Sequence, residues 1–260
     1  MLLAIDVGNT NIVLGVFKGD VLAASWRLLT LRERTGDEVG LLVRGLFQHH
    51  QIDPSVIHGV ILGSVVPTLT PILTSMVKRY FGHDTLVVGA TRNAGMPILY
   101  RNPAEVGADR IANSIAAYEL YGRRLGRPLI VADLGTATTF DAVTANGEYL
   151  GGVICPGPQI AAEALFQRAA RLPKVEVRKP PTVIGQTTVG AIESGLFFGY
   201  LGMVEGLMRR VAAELGGEAS GVATGGLAPL IVPEAAPGMF EGIEPDITLH
   251  GLRMIWERNQ

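Results

Sequence analysis

Two aspartates, Asp6 and Asp133, each stand near the end of an apolar run, and each is followed two positions later by a glycine, Gly8 and Gly135. The first block reads Leu2-Leu3-Ala4-Ile5-Asp6-Val7-Gly8-Asn9-Thr10-Asn11. About half a chain later, Pro128-Leu129-Ile130-Val131-Ala132-Asp133-Leu134-Gly135-Thr136-Ala137-Thr138-Thr139 repeats it in altered form. A polar turn whose backbone amides face inward makes a concave anion site, and glycine allows a phosphate to come close. Asn9, Thr10, Asn11 and Thr136 add side-chain donors. A carboxylate does not bind phosphate directly, so Asp6 and Asp133 read as cation holders, with magnesium the expected bridge to nucleotide phosphates. One Asp-x-Gly alone is an ordinary strand end at a turn. Two copies in matching contexts favour a nucleotide-phosphate site.

A second group, Gly107-Ala108-Asp109-Arg110, closes an irregular polar stretch that begins at Thr91 and includes Tyr100-Arg101-Asn102-Pro103. Asp109 is placed to accept a proton from a substrate hydroxyl, and Arg110 to clamp a carboxylate or a migrating phosphoryl group. The alternative is a helix N-terminal carboxylate favoured by the dipole, with a surface arginine beside it. Tyr100 fits packing as well as ligand contact. Thr187-Thr188 offers a helix N-cap. His49-His50 lacks a partner at metal spacing and reads as a solvated helix end. Cys155, in an apolar strand end, reads as a buried small hydrophobe. No G-x-x-x-x-G-K-[ST] occurs, so a Walker-type ATPase is unsupported.

These residues need elements to hold them. Each Asp-x-Gly block continues into a second strand, a short turn and a third strand, with Asn146-Gly147 a strong hairpin signal in the second copy. Thr35 to Glu38 matches a capping box and opens a helix with Val39, Leu42, Val43, Leu46 and Phe47 on one face. A buried-type strand over 57–64, a helix over 67–81 and a short strand over 85–88 complete a βββαβαβ half. A helix over 111–120 places Asp109 and Arg110 at its N-terminus. In the second half, the pattern predicts a helix over 159–168 and a long helix over 189–214, interrupted by Gly195, Gly199, Gly202 and Gly206. A last buried strand over 221–224 and a closing helix over 245–256 follow. The four-residue glycine spacing suits tight packing or a subunit contact. The repeat divides the chain into two related domains, 1–118 and 119–260, with a cleft between them and the terminal helix free to pack back on the first.

With 260 residues, 48% of them apolar, the chain can fill a substantial core. The 22 basic and 24 acidic side chains leave a formal net charge of −2, so nothing draws the whole molecule to nucleic acid or anionic lipid. A single cysteine excludes an intramolecular disulfide and a cysteine-rich zinc cluster. Met1 runs straight into the first strand without a leader, and no apolar run approaches the roughly 18 residues of a membrane span. A soluble, cytoplasmic protein is expected, with neither nucleic acid nor membrane as partner.

Six segments together resemble the type III pantothenate kinases, in order and over nearly the whole chain. They are Asp6-Val7-Gly8-Asn9-Thr10-Asn11, Tyr100-x-Asn102-Pro103, Gly107-Ala108-Asp109-Arg110, Asp133-x-Gly135-Thr136-Ala137-Thr138-Thr139-x-Asp141, Gly151-Gly152-x-Ile154-x-Pro156-Gly157, and Thr188 before Ser194-Gly195. The resemblance implies the superfamily of acetate kinase, sugar kinases, Hsp70 chaperones and actin. The implied fold is α/β, with duplicated actin-like (ribonuclease H-like) domains, each a mixed five-stranded sheet with helices, and a nucleotide cleft between them. It implies a homodimer that phosphorylates pantothenate with ATP, the first step of coenzyme A synthesis. By position, Asp6, Val7, Gly8, Asn9, Thr10, Asn11, Ile12 and Val13 are implied to bind ATP, with Asp6 near magnesium, and Thr136 to touch ATP. Asp109 is the implied general base, and Tyr100, Gly107, Ala108, Asp109 and Arg110 the implied pantothenate contacts. Asp133 is implied to hold a monovalent cation, potassium or ammonium, and Thr188 to reach pantothenate across the dimer interface. Thr187 stands where the family usually has Asn. Two other readings stay open: a kinase for another small hydroxylated or carboxylated metabolite, and a regulatory relative without catalysis. Retention of both hairpin aspartates and of Asp109-Arg110 argues against the second.

Overall fold

A computed structural model describes residues 1–89, 93–169 and 171–260; Thr91, where the irregular polar stretch begins, lies outside the described residues. The chain divides into two compact units, Met1–Ala116 with Asp246–Gln260, and Ala117–Pro245.

In the first unit, β1 (Leu2–Val7) is buried at every position except Asp6, which is half-buried. It pairs antiparallel with β2 (Asn11–Lys18), which pairs antiparallel with β3 (Val21–Leu29). Helix α1 (Gly36–His49) starts with the expected capping box. Thr35 Oγ1 accepts from the Glu38 amide, and Glu38 Oε2 accepts from the Thr35 amide at 2.7 Å. Val39, Val43 and Phe47 turn inward at four-residue spacing, whereas Leu42, at the margin of that face, is exposed. Strand β4 (Gly59–Ser64) pairs parallel with β1, and α2 (Thr70–Phe81) leads to β5 (Thr85–Val87), parallel to β4. Residues 67–69 form a turn, so α2 starts after Pro67 and takes Pro71 into its first turn. The sheet order is β3-β2-β1-β4-β5. Leu3, Ile5, Leu14, Leu62, Leu73 and Val77 join the α1 residues in its core. Burying each large side chain contributes about 1.5–3 kcal/mol. Helix α3 (Ala108–Ala117) closes this stretch.

The helical path continues through a wide turn, Tyr118–Gly122, into α4 (Arg123–Leu125). Strands β6 (Leu129–Leu134), β7 (Ala137–Val143) and β8 (Tyr149–Pro156) form a second antiparallel meander. The turn between β7 and β8 places Gly147 at φ 78°, the left-handed region that favours glycine. Helices α5 (Pro158–Arg168), α6 (Thr188–Ser194) and α7 (Tyr200–Glu214) follow. The interruption expected in the long helix is one wide turn at Gly195–Gly199, while Gly202 and Gly206 remain inside α7. Among the described residues, a side-chain carbon at any of these four glycines would meet nothing within 4 Å.

Strand β9 (Ser220–Thr224) pairs parallel with β6, and after the short α8 (Ala228–Ile231) comes β10 (Phe240–Ile243), parallel to β9. The sequence pattern predicts β9 as the last strand. β10 escapes it because Phe240-Glu241-Gly242-Ile243 is a short mixed run without clear periodicity. Its flanks are held by Gly221 N–H to Met239 O at 3.1 Å and Glu244 N–H to Ala223 O at 2.8 Å. The order β10-β9-β6-β7-β8 reproduces the first sheet strand for strand, as two mixed five-stranded sheets. Cys155, expected to be buried, is only half-buried because β8 is an edge strand. Among the described residues no helix is long and apolar enough to cross a membrane.

The last helix, α9 (Ile247–Arg258), packs on β1, β2 and β4 of the first sheet. Its approach to α3 requires Gly251: a side-chain carbon there would sit 2.0 Å from Ala112 O. Gly251→Ala is expected to cost about 1–3 kcal/mol through overpacking, read as a lower urea midpoint. An unchanged midpoint would show that α9 does not rest on α3 at this distance.

Candidate active site

In the first unit, β1 delivers Asp6 near the C-terminal end of the central strand, and the chain turns at once. Gly8 N–H donates to Asn11 O at 2.9 Å, closing the turn. Thr30, just beyond β3, clamps it from outside: its Oγ1 donates to Gly8 O at 2.7 Å and its N–H to Thr10 O at 3.0 Å. Asn9 and Thr10 are exposed at the tip. A side-chain carbon on Gly8 would lie 3.1 Å from Asn11 O and press the turn open. Val7 and Ile12 are buried in the core, so at those two positions only the backbone faces a ligand. Asn11 and Val13 are half-buried. Thr30 was not among the residues anticipated, since a threonine after a strand carries no local signal for a bond 22 residues back.

Asp109 lies in the first turn of α3, which begins at Ala108, three residues earlier than the apolar pattern predicts. That helix start lies over β4: a side-chain carbon on Gly63 would be 3.4 Å from Ala108 Cβ, and Gly63 is the register partner of Asp6. The hairpin carboxylate and the Asp109 helix start therefore belong to one end of one sheet. Gly107 makes room for the acid, because a side-chain carbon there would be 2.5 Å from Asp109 Oδ1. Asp109 Oδ1 accepts the Arg110 amide N–H at 2.7 Å. Burial pushes the Asp109 carboxyl above its ordinary range, opposed in part by the Arg110 amide bond and the Arg110 charge. Tyr100 is half-buried in the segment leading to this helix. There Asn102 Nδ2 donates to Glu105 Oε1 at 2.8 Å across the Pro103–Glu105 turn.

In the second unit, two glycines leave room for Asp133. Side-chain carbons on Gly135 and Gly225 would fall 3.0 and 2.5 Å from Asp133 Oδ1. Thr136 is exposed in the turn, and its carbonyl accepts the Gly157 N–H at 3.0 Å, tying the hairpin to the start of α5. Behind the turn, Thr138 Oγ1 and Tyr200 OH share a hydrogen bond of 2.6 Å. Burial, with a further push from the Asp133 charge, raises the Tyr200 hydroxyl to about 12, against the Thr138 bond that lowers it. Thr188 is exposed as the first residue of α6, and Thr187 caps that helix by accepting the Gly190 N–H at 3.1 Å. Thr and Asn both form N-caps, so the departure from the family's usual Asn preserves the helix start.

Asp6, Tyr100 and Gly107–Arg110 thus sit in the first unit, and Asp133, Thr136 and Thr188 in the second. Among the described residues no three His, Cys, Asp or Glu side chains cluster as a metal site. The turn end of each hairpin instead offers a single carboxylate, Asp6 in one and Asp133 in the other. That donor set fits an ion whose other ligands are phosphate oxygens, water or neutral protein oxygens.

The chain is similar to known proteins along its whole length. A family model described as type III pantothenate kinase matches residues 2–210. The type III pantothenate kinase of Moorella thermoacetica is 54% identical over 259 residues, covering 100% of both chains. That of Myxococcus xanthus is 52% identical over 259 residues, covering 100% of this chain and 99% of the relative. Among solved structures, a ROK family glucokinase from Streptomyces griseus in complex with glucose and AMPPNP has a TM-score of 0.54 at 13% identity. The match covers 98% of this chain and 99% of that one. An inorganic polyphosphate/ATP-glucomannokinase from Arthrobacter sp. has a TM-score of 0.51 at 15% identity, covering 99% and 98%. These neighbours share the duplicated actin-like fold.

The raised Asp109 carboxyl has a consequence for folding. A raised folded value means that the neutral acid is favoured by folding at low pH, and that this contribution is lost as pH rises through the folded value. Asp109→Asn is therefore expected to unfold at a higher temperature than the parent at pH 7.5, with the gap closing below the ordinary carboxylate range of about 4. A gap that is the same at both pH values would remove burial as the cause.

Proposed function

The chain belongs to the type III pantothenate kinase family, and on that premise we propose how its residues carry out ATP-dependent phosphorylation of pantothenate, the entry reaction of coenzyme A synthesis. The observation that carries the assignment of roles is the half-buried Asp109 carboxylate at the start of α3, made more basic by burial.

In this reading the primary hydroxyl of pantothenate attacks the γ-phosphorus of ATP directly. The new O–P bond forms as the bond to the departing ADP oxygen breaks, and Asp109 takes the hydroxyl proton. Tyr100 and Gly107 to Arg110 hold pantothenate, with the Arg110 guanidinium matched to its carboxylate. The turn from Asp6 to Val13, closed by the Gly8–Asn11 bond and clamped by Thr30, receives the phosphates, and Thr136 adds a contact from the second hairpin. Magnesium held near Asp6 and a monovalent cation, potassium or ammonium, at Asp133 supply positive charge against the phosphates. Because a loose transition state asks little of a base, positioning carries most of the acceleration.

The protein is further read as a cytoplasmic homodimer. Among the described residues nothing stands against the glycine row from Gly195 to Gly206, and Val183 and Ile184 are exposed nearby in sequence. Contact there would bring the exposed Thr188 to the substrate of the partner. Sedimentation velocity is expected to give a dimer for the parent and a monomer for Gly202→Leu. A fully active monomeric parent would sink this reading.

Purified protein with ATP, magnesium and pantothenate, with and without potassium, is expected to yield phosphopantothenate. Absence of product in both would overturn the substrate, and product from another acceptor alone would redirect it. Asp109→Asn is expected to lower kcat by roughly 10²–10⁴, as for loss of a general base. Near-parental turnover in that variant would exclude Asp109 from proton transfer.

A further inference from the structure

The Thr-Thr-x-Asp end of the second motif contains an acid that the reaction scheme leaves unused. Asp141, in β7, is completely buried, and both its oxygens are engaged. Tyr149 OH, itself fully buried, donates to Oδ1 at 2.8 Å, and Thr139 Oγ1 donates to Oδ2 at 3.1 Å. A buried carboxylate is costly and gives a sheet core nothing that an apolar side chain would not give better. The position therefore calls for a use that depends on its acceptor oxygens.

Register shows where that use acts. Thr139 is the cross-strand partner of Asp133, so the two side chains stand together on one face of the sheet. On the other side of Asp133 its partner is Thr224 of β9, also buried. A threonine hydroxyl has one proton and two lone pairs. With the proton committed to Asp141, the Thr139 oxygen can act only as an acceptor toward the space beside Asp133. One carboxylate flanked by neutral hydroxyl oxygens is a low-charge donor set, suited to a monovalent ion more than to a divalent one.

We propose that Asp141 is a positioning residue of the cation site. It holds the Thr139 hydroxyl as an oxygen ligand beside Asp133, and Tyr149 holds Asp141. The proposal rests on the reading that Asp133 binds a monovalent cation, and it adds Thr139 to the ligands and Asp141 with Tyr149 behind them. Asparagine at 141 would present an amide N–H where an acceptor oxygen now stands. The Thr139 proton would then be free to point at the cation.

The test is a KCl titration at constant ionic strength, balanced with choline chloride. It has two readouts: the thermal unfolding midpoint without nucleotide, and the rate of pantothenate phosphorylation. The parent is expected to respond to potassium in both, and Asp133→Ala in neither. Asp141→Asn, an outer-shell change, should raise the potassium half-saturation about tenfold or more, and Thr139→Val, which removes the ligand oxygen itself, should raise it at least as much. Added KCl should recover the lost rate. Thr139→Ser should restore the parental curve, and the Asp141→Asn, Thr139→Val double variant should shift no further than Thr139→Val alone. Should Asp141→Asn fail to fold, Tyr149→Phe, which removes one donor and keeps the ring, is expected to shift the curve in the same direction. Parental half-saturation in the Asp141 and Thr139 variants, or a rate loss that potassium does not recover, would overturn the positioning role while leaving Asp133 as cation holder. A parent indifferent to potassium in both readouts would overturn the Asp133 assignment and this proposal with it.

Discussion

The structure depends on a constraint at the two central strands. β1 and β6 each have neighbours on both sides in their sheets, and both show the same burial: four buried residues, a half-buried aspartate and a buried aliphatic. A strand covered on both faces tolerates a charge most readily where it leaves the sheet, because a carboxylate desolvated further in needs hydrogen bonds such as those Asp141 receives. Asp6 and Asp133 are therefore held at the strand ends by the hydrophobic effect acting on their neighbours. The glycines that follow let the chain reverse at once and keep the backbone of the turn close to the acid.

Each turn is then made rigid from outside the hairpin. In the first unit Thr30 bonds both ends of the Gly8–Thr10 tip. In the second, Gly157 holds Thr136, Tyr200 holds Thr138, and Gly225 leaves the space in which Asp133 lies. Preorganisation of this kind matters for phosphoryl transfer, where little covalent work falls to the protein and acceleration comes from fixed dipoles and charges. Asp109 is built differently. It stands at the start of a helix, where the dipole favours a carboxylate, yet burial raises its carboxyl above the ordinary range. Burial therefore leaves this acid more basic than an exposed one.

Much of the fold is legible in the chain because its signals are local. The Thr35–Glu38 capping box lies within four residues, the apolar run of β2 and the alternation of β3 are read along single strands, and Asn146-Gly147 marks its own turn. The duplication is legible because it repeats a local pattern, and the equal strand orders of the two sheets follow from it. Less legible are features that need a distant partner to exist. β10 is a strand only because β9 lies beside it, and α3 starts at Ala108 rather than Ile111 because Ala108 packs over Gly63.

The same division runs through the site. By itself the sequence determined which acids stand at hairpin ends, which glycines follow them and where the Gly107–Arg110 group falls, since residue type and spacing carry that information. Only the tertiary structure decided how those groups behave. The proton of Thr139 goes to Asp141, the Thr138 hydroxyl meets Tyr200 from 62 residues away, and the Asp109 carboxyl is raised by the surroundings that bury it. Proton direction and desolvation are properties of neighbours in space, and the neighbours that matter here are brought together only by folding.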